Sequence, residues 1–166
     1  MSAFGRAVRG AMLGVGVAGL LAASAVSPPA AAQTVDKKTL SFAAAARVAA
    51  AAESAAQARG VGVVIAVVDD GGHLILLHRL DDTQVASVNV GIGKARTAAI
   101  YRRPSREFEE QIRAGRVAAL ALADATPLQG GVPIRLDGKV IGAIGVSGDT
   151  PAVDEAIALA GAAALP

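Results

Sequence analysis

The dipeptide Asp137-Gly138 stands between two apolar runs, residues 132–136 and 139–147. An Asp-Gly pair tolerates the positive φ angles of a tight two-residue turn, so the two runs read as antiparallel strands of one hairpin. The arrangement recurs upstream, where residues 61–68 and 73–79 flank Asp69-Asp70-Gly71-Gly72. Neither upstream run alternates cleanly between polar and apolar residues, which predicts a strand pair covered on both faces by helices or by a neighbouring subunit. Two hairpins separated by helical stretches restrict the fold to mixed layers. The expectation is an α/β sandwich of the α+β type, with both hairpins joined in one largely antiparallel sheet packed with helices.

The helices are read from caps and spacing. Thr39 or Ser41 can cap a first helix that runs to about Arg59 and stops at Gly60. Its alanine run has high helix propensity, and Phe42 and Val48 lie on its apolar face. Val85, Val88, Ile92, Ala95 and Ala99 keep helical spacing over residues 85–101, up to Arg102-Arg103-Pro104. Ser105 opens a shorter helix with acidic residues in its first turn, residues 115–131 read as a loop with a helical turn, and Thr150 caps a last helix with Pro151 at its first position. That helix is expected to extend to Leu165.

The first 32 residues follow a different rule. Arg6 and Arg9 precede an apolar stretch over residues 11–23, and Ala30-Ala31-Ala32 offers a small-residue cleavage site before Gln33. This is the pattern of a secretory signal peptide, too short for a membrane-spanning helix. Its two arginines are not adjacent, which fits general secretion better than a twin-arginine route. Residues 33–38 then form a flexible lead-in and residues 39–165 one domain, with a periplasmic or secreted location. The full chain carries a formal net charge of +2, and both excess charges lie in the segment to be removed. A neutral exported domain gives no reason to expect nucleic acid as a partner.

Cysteine is absent, which excludes disulfides, thiolate metal sites and a cysteine nucleophile. The domain keeps three aromatic residues, Phe42, Tyr101 and Phe108, in a background of alanine and glycine. Small side chains allow close approach of backbones but bury little area each, so subunits are expected to cover one another's apolar surface.

Candidate functional residues are few. His73 and His78 are the only histidines, and imidazole is the commonest metal ligand. Five positions apart on one strand they point to opposite faces, so either would serve alone or across a subunit interface. Lys94, Thr97 and Tyr101 fall on one stripe of the second helix, read as lying away from its apolar face. Arg96, Arg102, Arg103, Arg106, Arg113 and Arg116 concentrate positive charge suited to carboxylates and phosphates, with helix-surface ion pairs as the plainer use. Asp69, Asp70, Asp81 and Asp82 are explained by turns, although paired carboxylates can hold a cation weakly. Gly142, Gly145 and Gly148 lack dinucleotide-binding spacing and read as close-packing positions; Gly130-Gly131 reads as a bend before a strand. Ser147 lies in Val-Ser-Gly-Asp, which is no nucleophile elbow, and no catalytic residue is assigned.

Five ordered motifs carry a resemblance: Val-Val-Asp-Asp-Gly-Gly-His-Leu (67–74), Arg-Leu-Asp (79–81), Lys-Ala-Arg-Thr-Ala (94–98), Gly-Gly-Val-Pro-Ile (130–134) and Gly-Ala-Ile-Gly-Val-Ser-Gly (142–148). Together they resemble the GlcG/HbpS family of haem-binding proteins, related to the C-terminal domain of PduO-type proteins, over residues 39–165. The resemblance implies a profilin-like fold, homo-oligomers that are often octameric, and haem as cofactor. Exported members carry signal peptides, and some act through a membrane sensor protein; a haem-degrading role is also attached to the family name. On this analogy Thr97 is a candidate oxygen ligand to ferric iron, Tyr101 its alternative, Lys94 a partner for a propionate, and His73 and His78 candidate axial ligands, with Arg102 among the cofactor-binding residues. The sequence departs from the family pattern at Asp82 and Asp149, where glycine is common.

Three functions follow as expectations. The first is an exported protein that binds haem or a related small anionic ligand for sequestration or sensing. The second is a haem-degrading or small-organic-acid enzyme. The third is a structural or signalling oligomer acting through a membrane sensor.

Overall fold

The computed structural model describes residues 34–165. The segment read as a signal peptide, residues 1–32, lies outside the described residues. The elements are α1 (Phe42–Gln57), β1 (Val64–Asp69), β2 (Leu74–Arg79), α2 (Ser87–Ile100), α3 (Arg106–Arg113), a 3-10 turn (Val117–Ala121), β3 (Gly131–Leu136), β4 (Lys139–Ser147) and α4 (Pro151–Ala162). Both hairpins form, and they join through β1 and β4 into one antiparallel sheet of order β2-β1-β4-β3. The β3–β4 turn has positive φ at both central residues, 51° at Asp137 and 75° at Gly138, as the Asp-Gly pair requires.

Caps decide where the helices begin, with two departures from expectation. Ser41 caps α1, its hydroxyl accepting from Ala44 N at 3.2 Å, whereas Thr39 donates to the Asp70 carboxylate at 3.1 Å. Gly60 ends the helix region at φ 65°. Thr150 makes no side-chain cap bond on α4; Asp154, one turn in, instead accepts from Asp149 N at 3.0 Å. Ser105 does not cap α3 either, because its hydroxyl accepts from Gly131 N at 2.8 Å and braces the start of β3.

The sheet is covered on both faces. On one, α1 and α4 pack Val48, Ala49, Ala52, Ile157 and Ala158 against Ile65 and Val67 of β1, Ile134 of β3, and Ile144 and Val146 of β4. On the other, α2 packs Ala95, Ala98 and Ala99 against Ala66, Val68 and Ala143. That second contact is drawn close by Gly145, where a Cβ would overlap the Gly91 carbonyl and the Ala95 backbone. The two faces follow from register: Ala66 opposes Gly145 and Val68 opposes Ala143, while Val67 opposes Ile144. Edge strand β3 contains Pro133, tolerable where no further strand needs its missing N–H. Asp82 adopts φ 60°, so an aspartate fills a left-handed position.

Candidate functional site

The stripe of Lys94, Thr97 and Tyr101 does not lie on a solvated face of α2. Lys94 is 4% exposed and Thr97 fully buried. Alanine and glycine on the helix give little contrast between its faces, so hydropathy could not orient it. The Lys94 ammonium donates to the Val146 carbonyl at 3.0 Å and to Asp154 Oδ2 at 2.8 Å. Gly130, at φ 122°, leaves room for it, since a Cβ there would crowd Nζ. Asp154 reaches Lys94 with one oxygen and Asp149 N with the other. Burial pushes its carboxyl above the ordinary range, against the hydrogen bond and charge of Lys94.

Thr97 and Tyr101 are also engaged. The Thr97 hydroxyl donates to Gly93 O and accepts from Thr126 N, both at 2.7 Å, and Tyr101 Oη donates to Ala123 O at 2.7 Å. Both tie the 114–130 segment to α2. The Tyr101 ring meets Phe108 edge-on with centroids 5.1 Å apart, and the Arg103 guanidinium sits 4.0 Å over the Phe108 ring.

Half of the arginine cluster, Arg103, Arg106 and Arg113, is spent on carboxylate pairs. Arg103 approaches Glu107 at 3.8 Å, Arg106 approaches Glu110 at 3.4 Å and buried Glu155 at 3.1 Å, and Arg113 pairs with Glu109. Gln129 joins them by donating from its side chain to Glu155 and from its backbone to Glu109, both at 2.6 Å. Arg102 is exposed, has φ 57°, and offers its carbonyl to Arg135. Asp69 is a turn residue, accepting from Gly71 N and His73 N at 2.9 Å each.

The histidines separate. His73 does not sit within β2; its carbonyl accepts from Asp69 N to close the turn, and its side chain is exposed. Arg96 donates from Nε to Gly72 O in the same turn at 3.2 Å. His78 lies on β2 opposite Ile65, facing α1, and its Nδ1 is 2.8 Å from Glu53 Oε2 with both side chains about one-third exposed, 32% and 31%. Glu53 also lines a cleft of about 490 Å³, together with Gln57, Val61, Arg79, Leu80 and Asp81. The Glu53 pairing and the Lys94–Asp154 bond join residues 25 and 60 positions apart, which no local motif announces. Among the described residues no group of three or more His, Cys, Asp or Glu is placed to hold a metal, and no helix is long and apolar enough to cross a membrane.

Protein GlcG of Escherichia coli K12 is 47% identical over 92 residues, a stretch that covers 55% of this chain and 69% of GlcG. The crystal structure of HbpS superposes with a TM-score of 0.77 at 31% identity, covering 81% of this chain and 96% of HbpS. That of a PduOC–haem complex superposes with a TM-score of 0.70 at 27% identity, covering 76% and 95%. The model of the family described as haem-degrading protein HbpS-like matches residues 40–163. With its α+β sheet and its ordered motifs, the chain belongs to this HbpS-like family.

Proposed function

We propose that this chain is an exported protein that binds haem or a closely related tetrapyrrole reversibly, for sequestration or sensing. Family membership and the haem complex of the PduOC neighbour support the ligand; the basic, apolar and small-residue regions of residues 1–32 support export. The observation that carries the reading within this fold is the His78–Glu53 pair. A carboxylate bonded to Nδ1 fixes the ring and leaves Nε2 as the nitrogen to meet a metal, the usual arrangement behind a histidine that binds one. The donor chemistry therefore fits iron. His78 would hold the metal, Glu53 would orient the ring, and Arg79 beside the adjoining cleft would meet a propionate.

Haem supplies the iron and the absorbance of the complex; the chain supplies the ligand, its orientation and the charge around it. Thr97, Lys94 and Tyr101, the candidates drawn from analogy, act in this reading as the scaffold of α2, because their polar atoms already have partners within the chain. A homo-oligomer fits the near-continuous apolar sequence of edge strand β2, Leu-Ile-Leu-Leu, which a second copy would cover. A membrane sensor is the partner such an exported binder would report to.

A second reading places the iron on His73. Leu77 and Ile92 pack on the same side of the sheet, Leu74 is 47% and Ile100 36% exposed, and Arg96 adjoins the turn, which together give an apolar surface with an imidazole and a guanidinium at its margin. Haemin titration of the purified protein, read in the Soret region, decides between them. Saturable binding with a shifted band, lost in His78→Ala and kept in His73→Ala and Thr97→Ala, is expected. Loss in His73→Ala alone would move the site to the turn. Weak, nonsaturable binding equal in every variant would sink the haem reading. Turnover of bound haem with a reductant and oxygen would mark a degrading enzyme instead.

A further inference from the structure

A cleft of about 230 Å³ opens where the start of α1 meets the β3–β4 hairpin, remote in sequence from both histidines. Its walls are Leu40, Ala44, Leu136, Ile141 and Leu165, with the Arg47 and Arg135 side chains also on the lining. The wall is thus mostly aliphatic and the fixed charges on it are positive. Neither arginine meets a carboxylate among the described residues. Among the described residues Arg135 donates only to the carbonyls of Gly138 and Arg102, and Arg47 meets no side-chain partner. The one acidic residue in the neighbouring turn, Asp137, is held by Lys38 at 2.8 Å.

An apolar slot bordered by two guanidiniums that lack acidic partners selects a ligand with an alkyl tail and an anionic, planar head. Guanidinium groups match a carboxylate in shape as well as charge. Volume sets the tail. At roughly 30 Å³ for each water-sized group, the cleft accepts about eight heavy atoms, far fewer than a tetrapyrrole contains. We propose that this cleft is a binding site for a medium-chain monocarboxylate, its tail between Leu40, Ala44 and Ile141 and its carboxylate on Arg47 and Arg135. The site is separate from the haem reading, and either can stand without the other.

The test is isothermal titration of the purified protein with hexanoate, octanoate and dodecanoate, and with octan-1-ol as the uncharged control. Saturable binding of one octanoate per chain is expected. Affinity should rise by about fourfold for each added methylene and level off once the cleft is full. Octan-1-ol and the Arg47→Gln variant should each bind roughly two to five times more weakly, the range of an exposed charge pair. Ala44→Leu, which fills the slot from the half-buried margin of α1, should abolish binding while circular dichroism stays that of the parent and thermal unfolding shows the same single transition. The proposal is overturned by the absence of saturable octanoate binding, by binding that Ala44→Leu leaves intact, or by affinity that does not depend on tail length. A change of oligomeric state in Ala44→Leu would also overturn it, because it would show that the cleft is filled by a second copy of the chain.

Discussion

The two faces of the sheet are built from different materials. On the α1/α4 side the core is branched aliphatic: Val48, Ile65, Val67, Ile134, Ile144, Val146 and Ile157 are all but inaccessible. On the α2 side it is mostly alanine and glycine around Val68, with Lys94, Thr97 and Ser87 buried among them. The first face gains stability from area removed from water, by about 25 cal/mol for each Å². The second has little area to remove and depends on close backbone approach and on polar groups that are fully partnered. Changes of equal size should therefore have unequal consequences on the two faces.

The sharpest contrast is expected at Gly145. Its added Cβ would meet backbone atoms of Gly91 and Ala95, which cannot rotate away. Gly145→Ala should destabilise the fold by about 4 kcal/mol or more, among the largest single-residue effects. A loss in urea unfolding of under about 1 kcal/mol would show that α2 can move outward and that close approach is not what holds it.

Next comes Lys94→Met, which leaves the Asp154 carboxylate buried without its counter-ion. A loss of about 3 to 5 kcal/mol at neutral pH is expected. The dependence on pH gives the sign. Burial already raises the Asp154 pKa, and removal of Lys94 takes away the hydrogen bond and the charge that chiefly oppose the rise, leaving the Asp149 N–H. A carboxyl raised in the folded state binds its proton more tightly there than when unfolded, so folding is favoured below the ordinary carboxylate range and weakened as pH climbs through the raised value. The gap between variant and parent should thus narrow from about pH 8 to about pH 4. A gap that stays constant would mean that lost packing of the lysine stem, not the stranded charge, is responsible.

The smallest effect is expected on the aliphatic face. Ile144→Val removes one methyl group from a broad core and should lower stability by only about 1 kcal/mol in the same assay. A cost as large as that at Gly145 would erase the distinction between the two faces.

Hairpins were legible in the sequence because their information is local: Asp137-Gly138 and Asp69 to Gly72 state their backbone geometry in four residues or fewer. The small-residue approach was legible too, since Gly145 lies inside a strand that has no turn to make. The orientation of α2 was not. Its inward face mixes lysine and threonine with glycine and alanine, and the partner that makes the lysine an interior residue lies 60 positions away. Asp154 stands in the first turn of α4, where position alone pairs an acid with the helix dipole, and only packing reveals that its charge is directed at Lys94. The same limit hid Glu53 behind His78, because a side-chain contact between a helix and a strand leaves no periodicity in either.

That long separation also bears on the order of assembly. The β3–β4 hairpin lies between Lys94 and Asp154 in the chain, so their bond is expected to form after α2 has docked and that hairpin has closed. Contacts that close so long a loop are formed late, after shorter-range structure has offset the entropy of bringing the ends together. The pair therefore acts as a latch on the finished fold: it contributes little to how quickly the chain folds and much to how slowly it comes apart.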